Sequence, residues 1–388
     1  MIKPVVYRHI ALNGNGGHPG PKGNCGLAAD YVTALACLLD QTTDSGTPEA
    51  SWVRSFWIQR DGREKGTRPA LTSLQEALPD LISRMTNLSE LCCRVVLHGP
   101  QIASIAHSHG SQLTKLAVKF GGHIDIPEVL PLLKHFTALT DIHLGVHGWT
   151  GKSYSIEPPD LPNLRLLQTV TEFATDELLA WFTQWNMPML SAFACLTPYD
   201  CIRTVRPELS VLTAFMAKHG AGLRTVTFDD TNPTIAVFPY TPSLNIYKTF
   251  SMRDVLEGLP GSVTQIVLCG IGENLGYQVR ILRWLLQTVQ LLPPEKKLHT
   301  IRMVSDNKYL GGAPFIWREK MQQADTRRVD TWKEFKNNAK GLLELGVPIL
   351  DEQDVALTDV LEEMEPSQES ICTKLVESAT DTLLGSDQ

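Results

Sequence analysis

Leu113-Thr114-Lys115-Leu116-Ala117-Val118 is followed, 26 residues further on, by Leu139-Thr140-Asp141-Ile142-His143-Leu144. Both hexapeptides read apolar, two variable, apolar, one variable, apolar. Their last two apolar positions stand one residue apart, the spacing of a strand with one buried face. The pattern recurs at Leu88, Leu91 and Cys93, at Leu164, Leu167 and Thr169, and at Leu190, Phe193 and Cys195. It continues at Leu223, Val226 and Phe228, at Val263, Ile266 and Leu268, and at Leu298, Ile301 and Met303. Val53, Phe56 and Ile58 form a degenerate first copy, and Leu244, Tyr247 and Thr249 a poor one. Successive copies begin 35, 25, 26, 25, 26, 33, 21, 19 and 35 residues apart. Four consecutive intervals of 25 or 26 are the mark of a true repeat.

Between these strands the apolar period becomes helical. Ile126, Val129, Leu130 and Leu133 follow the i, i+3, i+4, i+7 rule of one helix face. Leu209, Leu212 and Met216 do the same, with His219-Gly220 reading as the helix end. Val279, Leu282, Leu286 and Val289 form another stripe, stopped by Pro293-Pro294. Strand and helix alternating at this period predict an α/β leucine-rich-repeat solenoid, a horseshoe with parallel strands on its concave side and helices on its convex side. A doubly wound α/β sheet alternates in the same way, but its strands read as continuous apolar runs rather than spaced triplets. Residues 1–60 read as an N-terminal capping region with a strand at Val5–Leu12, a Gly/Pro loop at Gly14–Gly26 and a helix at Leu27–Asp40. The irregular repeat domain spans 51–350 and closes on a last strand at Val347–Leu350. Residues 351–388 read as an acidic, flexible tail in which Val355, Val360, Leu361 and Met364 are spaced for a short partner-binding helix.

Charge and cysteine usage narrow the function classes. The chain of 388 residues carries a formal net charge of −7, but residues 351–388 hold eleven acidic residues and one basic residue, Lys374. That tail accounts for −10, so the body is close to neutral at +3. No basic stretch tracks a phosphate backbone, which argues against nucleic acid as partner. No apolar run approaches the ~20 residues of a membrane-spanning helix, so no membrane role is expected. Cys25, Cys37, Cys92, Cys93, Cys195, Cys201, Cys269 and Cys372 show no paired spacing, and no signal peptide is recognised. They read as reduced thiols in a cytoplasmic or nuclear protein.

Several phrases resemble a known family. Val6-Tyr7-Arg8-His9-Ile10, the helix at Tyr31–Leu39, and Trp52-Val53-Arg54-Ser55-Phe56 carry part of the likeness. The repeat openings Thr86-Asn87-Leu88-Ser89-Glu90-Leu91 and Leu161-Pro162-Asn163-Leu164-Arg165-Leu166-Leu167 carry the rest. Together they resemble the divergent F-box/leucine-rich-repeat proteins abundant in fungi, diffusely and over roughly residues 5–350. The resemblance implies protein binding through the repeats, related to substrate recognition by ubiquitin ligases. In that family a helical F-box of ~40–50 residues docks the ligase adaptor. Only four residues precede Val5 in this sequence, so repeat-mediated binding is carried over and adaptor docking is not.

Candidate chemistry is sparse. Gly151-Lys152-Ser153 follows a strand, but Gly145 to Gly151 leaves five residues where a phosphate loop has four, and Pro158-Pro159 disfavours the helix that should follow. Gly14-Asn15-Gly16-Gly17-His18-Pro19-Gly20 places Pro19 where a dinucleotide fingerprint needs its third glycine. Seven of the eleven histidines lie between residues 98 and 147, and His98 and His123 share one repeat offset. No cysteine or carboxylate completes a ligand set with them, so no metal and no cofactor is expected. No nucleophile elbow or catalytic cysteine context is present, and the chain reads as a non-enzyme. An enzyme with an unrecognised site, or a nucleotide-binding α/β protein, stands as the alternative. The reading adopted is a monomeric scaffold that binds a protein partner through the strand positions between the apolar triplets. One such row runs through Cys92, Ala117, His143, Gln168, Ala194, Thr227, Val267 and Arg302, and its neighbour through Arg94, Lys119, Gly145 and Asp229. Arg94, Lys119, His143, Gln168, Thr227, Asp229 and Arg302 are the expected partner-binding residues.

Overall fold

In six of the repeats the leading leucine closes a tight turn that delivers the chain into a strand. In the computed structural model the N–H of Leu88 donates to the carbonyl of Met85, Leu139 to Phe136, Leu164 to Leu161, Leu190 to Met187, Leu223 to Gly220 and Leu244 to Thr241. The next two N–H groups then share one carbonyl of the preceding repeat. Ser89 and Glu90 share Arg54, Thr114 and Lys115 share Ser89, Thr140 and Asp141 share Thr114, and Arg165 and Leu166 share Thr140. The same step continues through Ser191 and Ala192 on Arg165, Arg224 and Thr225 on Ser191, and Asn245 and Ile246 on Arg224. A shared acceptor at every step locks register before the strand begins, and so keeps each apolar pair on one face.

The structure describes residues 9–13, 35–37, 39–42, 49–59, 68–121, 128–147, 157–171, 175–196, 208–228, 234–250, 259–269, 275–292, 298–304, 315–323 and 329–364. The chain divides into two compact units, Met1–Ser262 and Val263–Gln388. Among the described residues no helix is long and apolar enough to cross a membrane.

Unit 1 is an α/β structure whose parallel strands follow one another in sequence order. They are β1 His9–Asn13, β2 Ser55–Gln59, β3 Glu90–Leu97, β4 Lys115–Gly121, β5 Asp141–His147, β6 Leu166–Thr171, β7 Ala192–Leu196, β8 Thr225–Phe228 and β9 Ile246–Thr249. Each pairs in parallel with the next. One inward row runs Phe56, Leu91, Leu116, Ile142, Leu167, Phe193, Val226 and Tyr247, all buried. The next holds Ile58, Cys93, Val118, Leu144, Thr169, Cys195, Phe228 and Thr249, also buried. The poor copy at Leu244–Thr249 is therefore a full member of the ladder.

The convex connections vary more than the strands. Helices α1 Arg68–Arg84, α2 Gly99–His109, α3 Thr175–Gln184, α4 Leu209–His219 and α5 Thr234–Val237 lie between strands. The stripe at Val129–Leu133 is buried as the spacing predicts, but Leu130–His135 is a 3₁₀ turn rather than an α-helix. Pro131 in its first turn removes an N–H donor that a longer α-helix would use. In α4 the buried face is Leu212, Phe215 and Met216, while Leu209 points outward. Of the helix expected at Leu27–Asp40, residues 35–37 and 39 are described and helical, Asp40 is a turn, and the remainder lies outside the described residues.

Unit 2 contains strands β10 Gln265–Cys269, β11 Thr300–Val304 and β12 Ile349–Leu350, paired in parallel in that order. Helices α6 Leu275–Leu291, α7 Trp317–Gln323, α8 Val329–Glu344 and α9 Leu357–Met364 accompany them. The sequence assigns 351–388 to a flexible acidic tail; the structure instead folds Asp351–Met364 onto unit 2. Asp351 is fully buried and accepts backbone N–H bonds from Trp317 at 3.0 Å, Gln353 at 2.8 Å and Val355 at 2.9 Å. Helix α9 buries Leu357, Val360 and Leu361, and Arg318 clamps Glu363 with two hydrogen bonds of 3.0 and 2.7 Å. Net charge misleads here because a few well-placed apolar residues and one multiply bonded carboxylate outweigh solvated acids on the opposite face. Residues 365–388 lie outside the described residues.

Candidate binding face

Alternation along each strand sends every second side chain away from the core. One outward row of unit 1 runs Trp57, Cys92, Ala117, His143, Gln168, Ala194, Thr227 and Lys248, with Cα positions in register throughout. The structure thus brings His143, Gln168 and Thr227 onto one line in the order the repeat dictates. It also divides that line. Trp57, Cys92, Ala117 and His143 are half-buried, whereas Gln168 is 5% exposed, Ala194 3% and Thr227 3%. Gln168 and Thr227 are therefore corrected from contact residues to buried polar groups, and the row is accessible on β2–β5 and again at Lys248 on β9.

Arg94 is displaced from its expected row. The register shifts between Cys93 and Val96, so Val96, not Arg94, pairs with Lys119. This bulge places two extra residues in β3, and Val95 is buried within it. The Cys93 thiol donates to the Val95 carbonyl at 3.6 Å, and burial pushes it up to about 12, leaving it an inert core thiol. The resulting row is Val96, Lys119, Gly145, Val170 and Leu196. A side chain at Gly145 would press on the stem of Lys119, whose Cγ lies 3.4 Å from the position of the missing Cβ. Arg302 belongs to unit 2, where it pairs with Val267 and Leu350 along the strands and forms an ion pair with Asp354. Asp229 lies outside the described residues.

A further outward row, at the first residue of each strand, escaped the sequence reading. It runs Ser55, Glu90, Lys115, Asp141, Leu166, Ala192, Thr225 and Ile246. Glu90, Lys115 and Asp141 are half-buried and adjacent, about 4.8 Å apart from strand to strand. Lys115 carries its ammonium across β3 to lie 5.4 Å from the centre of the Trp57 ring. The signal was available: Glu90, Lys115 and Asp141 have the same parity as Cys92, Ala117 and His143, so the alternation rule includes them.

Three described histidines hold structural positions in the repeats. His98 is the N-cap of α2, its N–H held by Gln101 Oε1 at 2.8 Å. His109 is buried, with Nε2 3.0 Å from the Met85 carbonyl and Nδ1 2.7 Å from Ser108 Oγ. Burial pulls His109 below the usual histidine range, the Met85 bond opposing it. His219 is lowered first by burial and then by Lys218, and its Nε2 lies 3.3 Å from the Phe182 carbonyl. Both rings tie the end of a helix to the preceding repeat. Among the described residues no three His, Cys, Asp or Glu side chains converge. His123, the loop Gly14–Gly20 and residues 148–156 of the phosphate-loop candidate lie outside the described residues.

No family model matches the chain. No curated protein matches it. Among solved structures, one similar chain is a protein from Bacteroides fragilis, 12% identical, covering 79% of this chain and 70% of that one with a TM-score of 0.36.

Proposed function

We propose that this is a non-enzymatic leucine-rich-repeat protein that binds a protein partner through the outward side chains of β2–β5. In this reading the strands of unit 1 line the concave side of a curved solenoid, with the helices on its convex side. The observation that carries it is the division of the outward face. Trp57, Glu90, Lys115, Ala117, Asp141 and His143 are half-buried on the outward side of a parallel sheet, mixing aromatic rings, a small side chain and both signs of charge. Surfaces of this kind suit recognition, with an aromatic anchor among polar groups. Kinship with F-box/leucine-rich-repeat proteins is supported by the repeat openings Asn87-Leu88 and Asn163-Leu164, whose asparagines act in the repeat turn. Asn87 Nδ2 donates to the Ser51 carbonyl at 2.7 Å and Asn163 Nδ2 to the Thr137 carbonyl at 3.2 Å. A cytoplasmic or nuclear monomer is part of the proposal, in keeping with Cys37, Cys92, Cys93, Cys195 and Cys269, none of which is in a disulfide.

The test is affinity capture of the tagged full chain from its own host, read by mass spectrometry. A reproducible protein partner is expected. Cullin and its adaptor among the captured proteins would extend the role to ubiquitin ligases. Nothing recovered above an untagged control would overturn the binding role.

A further inference from the structure

We draw no further inference here: the strongest candidate, the surface patch of exposed leucines Leu291, Leu343 and Leu345 at the C-terminal ends of α6 and α8 in unit 2, carries nothing because nothing in the structure shows what covers it.

Discussion

The ammonium of Lys115 lies 5.4 Å from the ring centre of Trp57, two strands away, so a side chain of β4 passes over β3 to reach β2. This contact fixes both groups on the outward face. A double-mutant cycle with Trp57→Ala and Lys115→Ala should give a coupling of about 0.5–1 kcal/mol in urea unfolding. Additive effects would show that the two side chains act independently.

The repeat turn depends on amides that reach back one repeat. Asn87 donates to the Ser51 carbonyl at 2.7 Å. Asn87→Ala leaves that carbonyl without its donor, and a loss of roughly 1 kcal/mol in unfolding free energy is expected. No change would mean that solvent replaces the bond at no cost.

Asp351 anchors the C-terminal segment to unit 2. Replacing it with alanine leaves the N–H groups of Trp317, Gln353 and Val355 without their acceptor. A cost of about 3 kcal/mol is expected, with hydrogen exchange quickening first in 351–364. Retention of wild-type protection there would contradict the anchoring role.

His109 and His219 are both held below the ordinary histidine range, so the unfolded chain takes up protons that the folded chain refuses. Stability is then full above the unfolded value of about 6.5 and falls as pH drops toward the folded values. Unfolding free energy measured at about pH 7.5 and about pH 5.5 should be lower at the acid end. His109→Gln should reduce the difference. A difference unchanged in that variant would place the pH dependence elsewhere.

The fold was legible where periodicity is strict. Leucine at the turn, then two apolar residues one apart, is enough to assign β3–β9 and their register, because a slip of one residue would expose every core side chain. Three features were hidden. The bulge in β3 comes from local backbone geometry between Cys93 and Val96, and it exchanges Arg94 for Val96 in the outward row. Helices α1, α2 and α3 were not named from the sequence, although α2 and α3 lie in intervals of 25 and 26 residues. The folded segment 351–364 was masked by its charge. For the binding face, sequence named the row of His143 but not its burial. Gln168 and Thr227 lie on that row with almost no accessible surface, which strand alternation alone does not reveal.

The central claim is that one sheet face builds the core and the other recognises a partner. Ala117 and Leu144 test it together, one outward and half-buried, the other inward and fully buried. The decisive measurement is capture of the partner by Ala117→Tyr and by Leu144→Asp, each read beside its melting temperature. Ala117→Tyr should melt as the wild type does and lose the partner, while Leu144→Asp buries an unpaired charge and should lose the fold. Full partner capture by Ala117→Tyr, or an unchanged melting temperature in Leu144→Asp, would contradict it.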